Sequence, residues 1–157
     1  MPLIQVESRS RTKISKGSAK NAAKLILNAL GYTKSELSIL FVDDEEMSQL
    51  YRQYRGKSQT TDVLSFSMRE GEFGEIETEM LGDVVISAQT AKAMSEETGS
   101  GFNAILDLLL VHGILHLLEY DHEAGPALAD EMKSKTSELL GMLGHSHDNF
   151  QWFFDME

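Results

Sequence analysis

The sequence predicts an α+β fold in a single domain, with about four strands in one mixed sheet and helices packed on it. Strand-like and helical patterns alternate in the first half of the chain, and helical patterns dominate the second half. The chain has 157 residues, of which 41% are hydrophobic and 25% charged. These values are typical of one globular domain that is large enough to bury a core.

The individual strands and helices are predicted from periodicity and from the residues at their ends. Strands are expected over residues 3–7, 37–42, 63–68 and 80–86. Helices are expected over residues 15–30, 44–54, 88–99, 103–118 and 127–143. Asp43 or Asp44 caps the second of these helices and Ser87 the third, because short polar side chains bind the free N–H groups there. Gly31 and Gly99 are natural helix ends.

The helix over residues 103–118 is the most apolar, so it is expected to be the buried central helix. Residues 56–61 are expected to form a polar loop, and the Gly- and Glu-rich residues 69–78 an exposed connection. Residues 1–144 are predicted to form the domain and residues 145–157 a C-terminal tail. The aromatic residues of this tail either pack on the domain or dock on a partner.

Composition limits the compartment and the kinds of site. The chain contains no cysteine, so disulfides and thiolate metal sites are excluded. The N-terminus lacks the apolar core of a secretion signal, and the most apolar stretch is too short and too polar to cross a bilayer. A cytoplasmic protein without a membrane partner is therefore predicted. The sequence does not indicate an oligomeric state.

Charge is distributed unevenly along the chain. The formal net charge is −11, yet residues 8–35 contain seven basic residues and no acidic residue. One interpretation is a basic face that binds the phosphates of a nucleic acid, because local potential matters more than net charge. The other interpretation is an ordinary solvated helix surface.

Three histidines indicate a metal site. His112 and His116 are four residues apart on the central helix, so their rings project from nearly the same face and can chelate zinc. His122 joins them only if the chain leaves the helix near Glu119 and turns back. Three imidazoles would leave a fourth position for water, as in a catalytic zinc site. The alternative is that the histidines are merely buried in an apolar helix.

The same segment resembles the zinc peptidase motif in part. In that motif a glutamate follows the first histidine and acts as the general base, but Gly113 occupies the position here. A peptidase mechanism of that type would lack its carboxylate.

Four segments, taken together, resemble the YbeY endoribonuclease family. The segment from His112 to His122 is similar to the family signature H-G-x-L-H-L-x-G-Y-D-H and departs from it at one fixed position. The other similar segments are Tyr54–Lys57 (YRGK), Thr61–Phe66 (TDVLSF) and Leu81–Ile86 (LGDVVI). Their order and spacing agree with the family across residues 37–144.

The resemblance implies a zinc-dependent, single-strand-specific endoribonuclease. Family members act in ribosomal RNA maturation, notably at the 3′ end of small-subunit RNA, and in ribosome quality control. The implied partners are single-stranded and ribosomal RNA, the small subunit and its proteins. His112, His116 and His122 would bind one zinc ion per chain. Arg55 would bind the phosphate in the cleft, and Arg55 and His112 are the predicted catalytic residues.

Several points remain open at the level of sequence. Glu119 stands where the family has glycine, so it either tolerates strain or takes part as a proton acceptor or extra ligand. Asp121 either orients a histidine or caps the next segment. Asp83 either lines the cleft or is simply buried beside a basic residue, and Lys57 either touches phosphate or is only exposed. The alternative functions are a ribosome-associated assembly factor with structural zinc, and a zinc peptidase-like hydrolase.

Overall fold

The computed structural model describes residues 2–55, 62–67, 80–118 and 126–155. Its sheet is formed by the strands β1 (Leu3–Ser8), β2 (Glu36–Val42), β3 (Val63–Ser67) and β4 (Met80–Ser87). The strand order is β1-β2-β4-β3. The first three strands in this order are parallel and β3 is antiparallel to β4. The prediction of a four-stranded mixed sheet is therefore confirmed.

Five main helices are followed by two short ones at the C-terminus. They are α1 (Lys16–Ala29), α2 (Asp44–Arg55), α3 (Ala88–Thr98), α4 (Phe102–Leu117), α5 (Pro126–Met142), a 3-10 turn (His147–Phe150) and α6 (Gln151–Phe154). The sequence predicted the five main helices to within two residues at each end, and it did not predict the last two. No helix within the described residues is long and apolar enough to span a membrane.

The helix ends follow the capping rules. Ser15 and Ser87 accept hydrogen bonds from the N–H groups of Ser18 and Thr90, at 3.2 and 3.1 Å, as expected of N-cap residues. Gly99 ends α3 in the left-handed region, with φ 74°, which a residue with a side chain rarely adopts.

Asp44 connects the starts of α2 and α3. Its carboxylate accepts hydrogen bonds from the hydroxyl groups of Ser87 and Thr90, and its N–H donates to Oε1 of Gln89. A carboxylate at this place also interacts favourably with the positive ends of both helix dipoles. The start of α2 is thereby fixed to the end of β4.

The two faces of the sheet carry different helices. On β4, Val84 lies against Gly113 of α4, whereas the next residue, Val85, belongs to a second cluster with Met47 of α2. Successive side chains on a strand point to opposite faces. Thus α4 covers one face and α2 covers the other.

The central helix approaches the sheet closely at Gly113. A Cβ atom there would lie 2.7 Å from Cγ1 of Val84 and 2.9 Å from Cγ2 of Val63, too short for any real contact. The carbonyl of Gly113 accepts a hydrogen bond from Ser65 Oγ at 2.7 Å. Steric contact and this hydrogen bond together fix which side of α4 faces the sheet.

A partly buried carboxyl group, that of Asp62, precedes β3. Burial raises the pKa of Asp62, and hydrogen bonds from the N–H groups of Asp62 and Val63 offset part of that rise. The charged form of Asp62 is therefore less favourable in the folded protein than in the unfolded chain. The backbone carbonyl of Asp62 also accepts from the N–H of Ser87, at 2.9 Å.

We predict that Gly113→Ala lowers the free energy of unfolding by about 1–3 kcal/mol, because the added methyl group must push α4 away from β3 and β4. Urea unfolding followed by circular dichroism measures this. The matched control is Gly141→Ala in α5, where nothing lies within 4 Å of the new Cβ. That variant should gain up to about 1 kcal/mol from helix propensity. Equal effects of the two substitutions would contradict the close approach.

We predict that Asp62→Asn changes how stability depends on pH. Because the folded pKa of Asp62 is raised, the wild type loses stability as pH rises from the unfolded value of 3.8 through the folded pKa. The advantage of Asp62→Asn over wild type should therefore grow with pH in that window. Urea midpoints between pH 4 and pH 7 test this, with the exposed Asp130→Asn as control. A difference that stays constant with pH would refute the prediction.

Candidate metal centre

His112 and His116 lie on the last two turns of α4. Between Val111 and Leu118 these two side chains are partly exposed, whereas the six others are buried. Because Gly113 contacts the sheet, that side of the helix faces the core. The two histidine rings lie at the edge of the core and are only partly buried. The expectation that the two rings share one face is therefore met in the fold.

The two imidazole rings are in direct contact. Nε2 of His112 and Nε2 of His116 lie 3.0 Å apart, and the ring centroids are 4.5 Å apart. Two lone pairs at this distance repel each other. The arrangement therefore requires either a proton on one Nε2 atom, donated to the other, or a cation between them.

The donor pair fits zinc. Two nitrogen ligands of tetrahedral zinc, each about 2.0–2.1 Å from the metal, lie roughly 3.3 Å apart. The observed separation of 3.0 Å is close to that value, so little ring movement would admit the ion. Within the described residues there is no group of three or more histidine, cysteine, aspartate or glutamate side chains that could hold a metal.

Part of the predicted site falls outside the described residues. The third histidine, His122, lies outside the described residues, and so do Lys57, Glu119 and Asp121. The helix ends at Leu117, and the N–H of Leu118 still bonds to the carbonyl of Ile114 at 3.0 Å. The chain thus leaves the helix just before Glu119, where the sequence required a turn for a third ligand.

Arg55 is the last residue of α2, and its side chain is not described. The helix that carries it packs on the face of the sheet opposite α4, through Met47 and its partners. Arg55 and the histidine pair are therefore carried by helices on different sides of the sheet.

Asp83 lies on the same face as α2. It lines an open cavity of about 680 Å³ together with Arg9, Ser67 and Leu50. Its neighbour Val84 points to α4, so the Asp83 side chain points away from the histidine pair. Of the two interpretations, a position beside the basic Arg9 agrees with the structure, because Asp83 and Arg9 line the same cavity.

The basic segment is partly neutralised by acidic neighbours. Arg9 forms an ion pair with Glu46, and Nε of Arg11 lies 3.5 Å from Asp43 Oδ2. The remaining described basic side chains include the exposed residues Lys13, Lys16, Lys20 and Lys34. A basic surface thus persists along the start of α1, although two arginines at its edge are paired.

The two histidines of the C-terminal tail are held separately. His145 Nε2 lies 2.7 Å from Asp107 Oδ2 on α4. Burial raises the pKa of Asp107, and the hydrogen bond and charge of His145 offset part of that rise. His147 contacts Ser137 Oγ at 3.0 Å and stacks on Phe154. Neither interaction brings these two rings together at one metal position.

The sequence interpretation missed an aromatic contact with the histidine pair. The rings of Phe153 and His112 meet edge to face, with centroids 6.1 Å apart and an interplanar angle of 90°. The four aromatic residues Phe150, Trp152, Phe153 and Phe154 were the available signal, but their spacing did not indicate which part of the domain they contact.

Comparison with known proteins shows the family of this chain. A family model described as Endoribonuclease YbeY matches residues 4–144. The Endoribonuclease YbeY of Geobacter sulfurreducens is 45% identical over 79% of this chain and 83% of its own. That of Aquifex aeolicus is 45% identical over 90% of each chain. The solution structure of a Thermotoga maritima protein, 20% identical, has the same fold, with a TM-score of 0.60 over 90% of this chain and 92% of that one. The chain belongs to the YbeY endoribonuclease family.

Proposed function

We propose that this chain is a zinc-dependent endoribonuclease that cleaves single-stranded RNA. Within the same proposal, it acts in the cytoplasm on ribosomal RNA, at the 3′ end of the small-subunit RNA, and in ribosome quality control. Its partners are then the small subunit and the proteins bound there. The observation that carries the proposal is the pair of Nε2 atoms 3.0 Å apart at the end of α4, in a member of an endoribonuclease family.

The proposed ligands are His112, His116 and His122. Zinc bound there would supply a water of lowered pKa and a Lewis acid for a phosphoryl oxygen. His112 and His116 bind through Nε2, so both rings must be neutral with the proton on Nδ1. The partly buried position of the two rings limits competition from bulk water.

Arg55 is proposed to bind the scissile phosphate from the other side of the edge strand β3, on which both α2 and α4 pack. Its guanidinium group would donate two parallel hydrogen bonds to the non-bridging oxygens and stabilise the charge that develops on them. A lysine provides no such planar pair of donors, which supports the choice of arginine for this task.

The burial of α4 favours an enzyme over an assembly factor with structural zinc. Ten of the sixteen residues of α4 are buried, and nine of these ten belong to the main core of the domain. A core of this size supplies apolar burial without a metal, unlike small domains that fold only on binding zinc. Removal of zinc should therefore abolish cleavage and leave the fold in place.

The peptidase alternative is disfavoured by the packing of Gly113. Even a Cβ atom at this position would collide with Val84 and Val63. A glutamate base therefore has no room at the position where the peptidase motif requires it.

We predict that zinc removal by a chelator stops cleavage of single-stranded RNA and leaves a cooperative thermal transition. His116→Ala should lower zinc content and reduce cleavage by more than about 100-fold. Loss of a residue that only hydrogen-bonds to a metal ligand already reduces metal affinity or activity about 10–100-fold, and loss of the ligand itself should reduce cleavage more. Metal analysis, RNA cleavage and thermal unfolding are measured on the same samples.

His147→Ala is the control for a histidine outside the pair, and it should retain zinc and cleavage. Double-stranded RNA of the same sequence should resist cleavage. If the apo protein unfolds and the zinc-loaded protein never cuts RNA, the assembly-factor alternative is correct.

We predict that Arg55→Glu reduces RNA cleavage by about 100- to 1000-fold while zinc content stays at the wild-type level, because the phosphate charge loses its donor pair. Single-turnover cleavage and metal analysis measure this. The matched control is Arg52→Glu, an exposed position on the same helix, with little expected effect on the cleavage step. Wild-type cleavage by Arg55→Glu would remove Arg55 from the site.

A further inference from the structure

The C-terminal segment, defined here as residues 145–155, lies beyond the residues that the family model matches. It nevertheless packs on the domain. Phe150 is completely buried in the main core, and Trp152, Phe153 and Phe154 pack partly buried against it. The segment therefore forms part of the folded domain of this chain.

Polar contacts hold the segment on both sides of Phe153. The Trp152 Nε1–H donates to Ser100 Oγ at 2.9 Å, and Asn149 Nδ2 donates to the Ser100 carbonyl at 3.0 Å. On the other side, Lys133 Nζ donates to the carbonyl of Phe154 at 3.3 Å. Because residues on either side are anchored to different parts of the domain, the backbone at Phe153 has little freedom.

The anchored ring contacts a proposed metal ligand. Phe153 meets the His112 ring edge to face at 6.1 Å, a favourable geometry for aromatic pairs. The same imidazole contacts His116 through Nε2. The His112 ring is therefore in contact with both the second ligand and the C-terminal segment.

The neighbouring aromatic residue has a different contact. Phe154 stacks on His147, with centroids 4.3 Å apart and an interplanar angle of 8°. In the described contacts only Phe153 among the aromatic residues of this segment meets His112. The two adjacent phenylalanines therefore differ in whether they contact His112.

We propose that Phe153 is a positioning residue for His112, through which the C-terminal segment orients a zinc ligand. This inference rests on the proposed zinc site. An imidazole binds zinc only when its Nε2 lone pair points at the ion, so a ring contact that limits rotation of His112 increases zinc affinity. Residues outside the family-matched range thus contribute to the site.

The test is zinc affinity, measured by competition with a chromogenic chelator, for Phe153→Leu, Phe153→Tyr and Phe154→Leu. Phe153→Leu should bind zinc roughly two- to tenfold more weakly, the range given by the energy of an aromatic pair. Phe153→Tyr keeps the ring and should restore wild-type affinity. Phe154→Leu makes the same chemical change one residue away and should leave zinc affinity unchanged.

Thermal unfolding of the apo proteins checks that every variant is folded, and cleavage kinetics separate the alternatives. At limiting zinc, Phe153→Leu should lower kcat without raising the KM for single-stranded RNA. Equal zinc affinity in all variants, or equal loss in both leucine variants, would overturn the positioning role. A raised KM with normal zinc affinity would also overturn it and make Phe153 a substrate contact. Zinc affinities in the expected order without RNA cleavage in any variant would reject only the proposed function.

Discussion

The contact between α4 and the sheet at Gly113 determines the geometry of the rest of the site. The helix comes so near to β3 and β4 that no side chain fits, and Ser65 adds a hydrogen bond to the same residue. This contact fixes the rotation of α4 about its axis. One consequence is the partial exposure of His112 and His116 between buried neighbours. The glycine that removes the peptidase-type base is therefore also the residue that lets the helix pack and directs its histidines.

Most of the fold could be predicted from the sequence because the responsible signals are local. Strand alternation, helical spacing and the caps at Ser15, Ser87 and Gly99 each act within a few residues, and the corresponding elements were found with small errors at their ends. The final turn and α6 were missed because they contain four residues each, too few to show a period. Their position depends instead on the burial of Phe150 in a core made by distant segments.

The candidate site, like the fold, has features that local sequence signals predict and features that depend on tertiary packing. The pairing of His112 with His116 follows from helix geometry, so four-residue spacing was sufficient to predict it. The contact of Phe153 with His112 joins residues far apart in the chain, and no local pattern announces it. The raised pKa of Asp62 likewise comes from burial, which depends on tertiary packing. Spacing thus identified the histidine pair, whereas the contacts around the pair could be found only from the folded structure.

The shared carboxylate of Asp44 has a consequence at the far end of α2. A helix of twelve residues behaves as a stiff lever, and its last residue, Arg55, is roughly 16 Å from Asp44. Ser87 and Thr90 fix the N-terminal end of this helix through their hydroxyl groups. A small tilt of the helix at that end produces a larger displacement at its C-terminal end. Replacing either hydroxyl would therefore displace Arg55 more than the residues around Asp44, so the position of this arginine depends on side chains a whole helix away from it.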